Sequence, residues 1–400
     1  MRVFRHRDFR LLWSGALFSF VGSWVQNVAQ SWLIYELTHS EALLGLVAFC
    51  QSAPVSLLGP IAGALADMFD KRKVLVGCQL GFAAGALYLA AAVYWGFIEY
   101  WHILIVATFS GLIATIEQPT RQTTVSRVVP QEELPSALPL QALTFNLARV
   151  VGPAIGGILL ASFGAQLCYL INGLSYTALI LAVLAIRSDL SASQREPQPV
   201  LDLLTEGVKY VFSHPRLKLL FLMETIVAVF GLPYIALMPA IAKDMLGLDA
   251  RGLGISMSMI GLGAVTSLFL LAHFTGAKQR PLIVRYAMTA MGLGVLALSF
   301  ATNPWLGYPT LFLVGMAAVA QFNSTNVLFQ VIAPERLRGR VLSMHIWALA
   351  GFGPMGTLLF GYIANRFSIP LSLQIGGAIV VLGAIWGWAS QPAAEGAEEL

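Results

Sequence analysis

VVPQEELPSALPLQALTFNLARVVGPAIGGILLASFG occupies residues 128–164, and VIAPERLRGRVLSMHIWALAGFGPMGTLLFGYIANRFS occupies 331–368. Each opens on a polar turn around a proline, Pro130 or Pro334, and runs into a long apolar stretch broken by Gly152-Pro153 or Gly353-Pro354. The offsets are 204 and 201 residues. Other pairs keep the same order: His6 and Phe9 answer to His214 and Leu217, Gly45 to Gly254, and Leu65-Ala66-Asp67 to Leu271-Ala272-His273. One such pair is weak; five in one order point to a duplicated chain. Duplication in an apolar chain places a site at the interface of the repeats, near mid-membrane.

The composition says what the halves are made of. Of 400 residues, 57% are hydrophobic and 11% charged, with a mean hydropathy of +0.75. Soluble domains carry about 25% charged residues, and a folded surface needs polar cover. A soluble enzyme and a disordered chain are therefore excluded, and the solvent is largely lipid. A crossing helix needs about 20 mainly apolar residues. Such runs lie at 11–35, 42–66, 74–95, 102–126, 138–163 and 167–186, then at 216–242, 252–274, 282–302, 305–331, 339–363 and 370–390.

This is the pattern of an all-α membrane protein with twelve transmembrane helices in two pseudo-symmetric six-helix bundles. The expected organisation is a bundle over 1–186, a cytoplasmic linker over 187–215, a second bundle over 216–390 and a short tail over 391–400. Within the linker, Leu201, Leu204, Val208 and Val211 recur at helical spacing, which predicts an amphipathic helix on the inner membrane surface.

Basic residues set the orientation. With the N-terminus inside, the inner segments hold 19 Lys and Arg and the outer loops only Lys243, Arg251 and Arg366. Both termini are then cytoplasmic, in a bacterial-type inner membrane. The first run is longer than a signal-peptide core and lacks an evident cleavage site, so it should stay in the protein. A net charge of +4 distributed in this way marks topology and not nucleic-acid binding. Cys50, Cys78 and Cys168 form no spaced pair and read as small apolar residues.

GALADMFDKRK, from Gly63 to Lys73, resembles the loop 2–3 signature of the major facilitator superfamily, with Met68 and Asp70 departing from it. RHRDFRLLWSG (5–15), QPTRQTTVSRVVPQEEL (118–134), NLARVVGPAIGGILLASFG (146–164) and SHPRLKLLF (213–221) resemble its enterobactin-exporter-like branch. The resemblance covers essentially the whole chain. It implies the twelve-helix two-bundle fold and a secondary transporter, most often an exporter of siderophores or drugs.

Several residues stand out against the apolar background. Given the resemblance, Asp67 with Arg72 reads as a conformational latch beside a basic cluster that otherwise fixes topology. Glu117 and Arg121 lie four residues apart within the fourth run and Arg149 within the fifth. Charges at such depth mark a pathway or a neutralised buried pair. Glu224 stands about eight residues into the seventh run with no basic residue after it until Lys243, so it reads as an unpaired carboxylate suited to proton coupling, or as one bonded to a neighbouring helix.

Ser19, Ser23, Gln26, Asn27 and Gln30 share one face of the first helix, which should line a wet cavity or bond neighbouring helices. Gln321, Asn323, Ser324, Thr325 and Asn326 form a second polar cluster in the tenth run. Tyr234, Phe230 and Trp347 are candidate apolar walls for a bulky cargo. Pro54, Pro60, Pro153, Pro233, Pro239 and Pro354 fall within runs and should kink them.

No GxxxxGK[ST], HExxH, GxSxG or His/Cys metal set occurs. No catalytic residue, metal or cofactor is expected, and energy should come from a gradient. The sequence thus describes a monomer in the lipid bilayer that exports a small-molecule substrate by alternating access, with protons as coupling ion. An importer or passive carrier of the same fold is the first alternative. A non-transporting receptor or scaffold is the second, and it would call for a large soluble domain or long tails.

Overall fold

The computed structural model describes residues 2–191 and 200–396, with side chains described except at 2, 60–67, 200–204, 277 and 391–396. Helices dominate. In chain order they are α1 (Arg7–Thr38), α2 (Glu41–Met68), α3 (Lys71–Tyr94), α4 (Tyr100–Val128), α5 (Leu134–Ala185) and α6 (Val200–Ser213). They continue with α7 (Pro215–Ile226), α8 (Ala250–Phe274), α9 (Arg280–Leu298), α10 (Pro304–Ile332), α11 (Arg338–Ala350), α12 (Gly353–Arg366) and α13 (Ile369–Gly396).

Local chemistry fixes several ends. The Asp70 carboxylate accepts the Lys73 N–H at 3.0 Å to cap α3, and Asn303 accepts the Leu306 N–H at 3.2 Å ahead of Pro304 at the first turn of α10. Helix α5 runs 52 residues but is broken at Gly164, where φ is 78°. Only glycine adopts that conformation without strain, so α5 has two arms that meet where the sequence separates the runs ending at 163 and starting at 167.

Ten helical stretches among the described residues are long and apolar enough to cross a membrane. One of them contains both arms of α5. Helix α1 is not among the ten, although its 32 residues span about 48 Å. Its polar stripe makes it less hydropathic than its neighbours. Large apolar side chains stand exposed along these helices, Leu57, Leu181 and Trp305 among them, which only a hydrocarbon surround makes favourable.

Two runs are less regular than expected. After Ile226 the seventh run passes through a wide turn over Val227–Gly231, a tight one over Pro233–Ile235 and a second wide turn over Ile241–Met245. Leu232 bonds back five residues to the Val227 carbonyl, as Leu246 does to Ile241. The cause is Pro233 and Pro239, which lack an N–H and force the ladder to re-register. The eleventh run is likewise divided between α11 and α12 at Gly351-Phe352, just before Pro354.

The chain forms two compact units. The first comprises residues 1–39, 50–197 and 249–258, and the second 40–49, 198–248 and 259–400. In the first, Phe9, Leu12, Leu75, Val125, Leu179 and Val183 are packed into one apolar core. Small residues let its helices meet backbone to backbone: a Cβ added to Gly157 of α5 would lie 2.9 Å from Cα of Gly254 in α8 and 2.7 Å from the Ala250 carbonyl oxygen. In the second unit Gly45 of α2 meets Gly361 of α12 in the same manner, a Cβ on Gly45 falling 3.1 Å from Cα of Gly361.

Gly157→Val should destabilise the protein by about 1–3 kcal/mol through overpacking, with Gly157→Ala milder. Thermal melting in detergent checks this, and an unchanged midpoint for the valine variant would contradict the close approach.

Candidate functional site

In the first unit the polar face of α1 is committed to neighbouring helices. Ser19 Oγ donates to Gln79 Oε1 of α3 at 3.3 Å. Ser23 Oγ lies 3.2 Å from the Tyr176 hydroxyl, and Asn172 Nδ2 donates to Gln26 Oε1 at 2.6 Å and to Tyr176 at 3.1 Å. Gly22 permits the approach, since a Cβ there would press on Asn172 Oδ1 at 2.7 Å. Gln30 is buried and Asn27 half-buried. Of the two expectations for this stripe, bonding to other helices describes Ser19, Ser23 and Gln26. Their partners Gln79, Asn172 and Tyr176 were missed; the isolated amide in each apolar run was the available signal.

Glu117 and Arg121 meet one turn apart on α4. Arg121 Nε donates to Glu117 Oε1 at 2.9 Å, with the two residues 9% and 6% exposed for arginine and glutamate. The Arg121 guanidinium also stands 4.5 Å over the Phe20 ring of α1. The charge is thus neutralised locally and clamped to the striped helix. Arg149 is half-buried on the first arm of α5.

The second unit holds a different pair. Glu224 on α7 is 0% exposed, and its Oε2 lies 2.7 Å from Nδ1 of His345 on α11, itself 6% exposed. The expectation of an unpaired Glu224 is therefore corrected: its partner stands 121 residues later in sequence, beyond the reach of any local pattern. His345 was not singled out, and its only signal was an ionisable ring within an apolar run. Glu224 Oε1 has no hydrogen-bond partner among the described residues, and neither have Gln321 Oε1 and Nε2 or Thr325 Oγ1 on α10, all of them buried.

Asn323 and Ser324 face another way and take Arg280 of α9, whose guanidinium donates to Asn323 Oδ1 at 2.9 Å and Ser324 Oγ at 3.3 Å. Tyr234 is buried. Trp347 is half-exposed, with ring centroids 5.1 Å from Phe352 and 6.3 Å from Phe221. An apolar groove of about 500 Å³ between α9 and α10, lined by Tyr286, Leu293, Thr310 and Met316, includes none of the expected cavity residues.

The sequence model of the transmembrane secretion effector family matches residues 1–399. The chain belongs to that family, within the major facilitator superfamily. It is a multi-pass membrane transporter and not an enzyme. It is 24% identical over 375 residues to the staphyloferrin A transporter of Staphylococcus aureus, covering 92% of each chain. To macrolide efflux protein A of Streptococcus pyogenes it is 22% identical over 382 residues, covering 94% of each. A solved bacterial homologue of the human lysosomal transporter Spinster superposes with a TM-score of 0.77 at 13% identity, covering 97% of each chain, and shares the fold.

Around the expected latch, the Asp67 side chain lies outside the described residues. Arg72 caps the end of α5, donating to the carbonyl oxygens of Ile186 at 2.7 Å and of Leu184 and Ser188 at 3.4 Å. The same end is held from α1, where Asp8 Oδ2 accepts the Arg187 and Ser188 N–H groups at 3.0 and 2.8 Å and the Ser188 hydroxyl at 2.7 Å. Helix α6 packs on α7 and α11, with Val211 wholly buried and Glu206 paired to Arg336 and Arg340. Leu201 and Leu204 lie outside the described side chains.

Glu117→Gln or Arg121→Met alone should each destabilise this transporter by about 3–5 kcal/mol, because each leaves a buried charge uncompensated, while the double variant should recover part of the loss. A double-mutant cycle of melting or denaturant midpoints reads this, and additive losses would dissolve the pair. Burial pushes the Asp8 carboxyl up, but the hydrogen bonds from Ser188 and Arg187 and the Arg7 charge outweigh it and hold it below the usual carboxylate range. Its contribution is therefore present at neutral pH and lost as pH falls through the folded value. Melting followed from pH 7 towards 3 should decline less steeply for Asp8→Asn than for the parent.

Proposed function

We propose that the protein is a proton-coupled exporter of a small organic compound, siderophore- or drug-like, working by alternating access. The observation that carries this is Glu224, a carboxylate wholly buried about 12 Å along the seventh run from its inner end. A group so placed can hold or release a proton only in step with the surrounding helices. Ion-paired Glu117 and Arg121, by contrast, are neutralised within one helix and serve packing.

The relatives support the cargo class, since one is a staphyloferrin A transporter and another a macrolide efflux protein. The family description, a secretion effector, favours outward movement. We read the ten crossing stretches, the division of α5 at Gly164 and the length of α1 as twelve crossings in two six-helix bundles, in a bacterial inner membrane with both termini cytoplasmic. The protein works as a monomer, with protons entering as cargo leaves.

The test uses inverted membrane vesicles with an acidic lumen and erythromycin or staphyloferrin A as cargo. Vesicles carrying the transporter should accumulate cargo several-fold over empty ones, and collapse of the pH gradient should abolish the difference. Glu224→Gln should bring accumulation down to the collapsed level. Accumulation driven by the opposite gradient would make the protein an importer.

A further inference from the structure

Glu224 does not stand alone, and the chemistry of its partner changes what the site can do. Nδ1 of His345 lies 2.7 Å from Glu224 Oε2, and both side chains are buried. The elements packed around them bring almost no charge. Helix α10, which packs against both α7 and α11, carries no charged residue from Pro304 to Ile332, and the wide turn Val227–Gly231 carries none. Helix α13 has none from Ile369 to Ser390, and α12 has only Arg366 at its far end, with Tyr362 one turn before it.

The remaining titratable and charged groups lie at the helix ends. On α6, Glu206 is spent on Arg336 and Arg340, and Lys209 and Tyr210 follow. On α7, Arg216 and Lys218 stand about two turns before Glu224; on α11, Arg338 and Arg340 precede His345 by at least five residues. Among the described side chains of these packed helices, the pair is thus the one buried carboxylate–imidazole contact.

Phe329 of α10 covers the imidazole with ring centroids 5.8 Å apart. Thr325 and Gln321 precede it at intervals of four residues on the same face, and both are fully buried with polar atoms lacking a partner, as is Glu224 Oε1. A polar strip on α10 therefore runs past the pair. Beyond the pair, in the direction each chain takes, both partner helices lose regularity: α7 at Val227, three residues after Glu224, and α11 at Gly351, six after His345. Interruptions of this kind mark helices that bend in transport.

We infer that Glu224 and His345 hold one proton between them, and that this shared proton ties the two interrupted helices of the second unit together and is the element exchanged for cargo. The inference rests on the proton-driven reading above. With one proton the site is neutral, either as carboxylate with imidazolium or as acid with imidazole. Removing that proton leaves one negative charge wholly buried, and a second proton leaves one positive charge. Both are costly in a dry interior. The closed arrangement therefore retains one proton, and its loss requires the helices to part and admit water along the Gln321–Thr325 strip. His345 is here the second holder of the coupling proton, beside the Glu224 carboxylate.

The decisive comparison places wild type, Glu224→Gln, His345→Gln and the double variant in proteoliposomes with erythromycin as probe, in two assays. His345→Gln is first read in exchange at equal pH on both sides, which gives the transport capacity that normalises its driven accumulation. In pH-gradient-driven accumulation it should fall several-fold, to the level of Glu224→Gln, and the double variant should fall no further because the two act as a unit. Wild-type gradient dependence in His345→Gln beside a loss in Glu224→Gln would overturn the shared site and leave the exporter reading intact. No gradient dependence in wild type would overturn that reading itself.

A cargo-free measurement covers the case in which a variant does not fold. In an infrared titration of the purified full chain, the Glu224 carboxyl band, identified by its loss in Glu224→Gln or by isotope editing of wild type, and the histidine ring bands should change in one common pH step. Two separated steps would refute the shared proton.

Discussion

A helix in hydrocarbon satisfies its own backbone and nothing else. Every polar side chain it carries must find a partner on another helix, a wet surface or a ligand, since lipid offers none. This constraint organises both units. It explains why α1, with its polar stripe, is bonded to α3 and α5 through Gln79, Asn172 and Tyr176, and why Arg121 sits on Glu117 and against Phe20. It also explains the glycines. A Cβ on Gly22 would collide with the Ser175 side chain and the Asn172 amide oxygen, so close packing and polar satisfaction are one requirement here.

The same constraint separates two kinds of buried charge. Glu117 and Arg121 lie one turn apart on a single helix, so no movement of helices against one another changes their separation. Glu224 and His345 lie on different helices, each interrupted shortly afterwards. Their distance depends on how those helices are arranged. A charge pair within one rigid element is a structural solution, whereas a pair across two deformable elements responds to conformation and feeds back on it. Sequence depth alone treats all four residues alike; the distinction exists only in three dimensions.

Much of the fold was legible because lipid imposes a simple code. Run length gave the crossing segments, Gly164 fell in the short gap where two runs had to be separated, and the in-run prolines marked the places where the seventh and eleventh runs lose regularity. Backbone rules act locally, so a local reading recovers them. What those rules do not contain is the depth of the interruption after Ile226, where two wide turns replace a kink, because that depends on the packing of α12 and α13 against the altered turns.

The candidate site was legible only by half, and the missing half is of one kind. Glu224, Gln26 and Gln321 were visible as polar residues in apolar surroundings, since the anomaly lies in their own neighbourhood. His345, Asn172 and Gln79 are their partners or the partners of their neighbours, and pairing across 60 to 146 residues has no local signature. For Glu224 the choice between an unpaired carboxylate and one bonded to a neighbouring helix stays open in the sequence, because its own run holds no cation after it and the group that answers it arrives from α11. Burial cost supplies the missing rule. An ionisable residue deep in a membrane-spanning helix that has no partner on its own helix implies a second one at similar depth on another. In this chain, His345, about six residues into its run against about eight for Glu224, meets that condition by position alone.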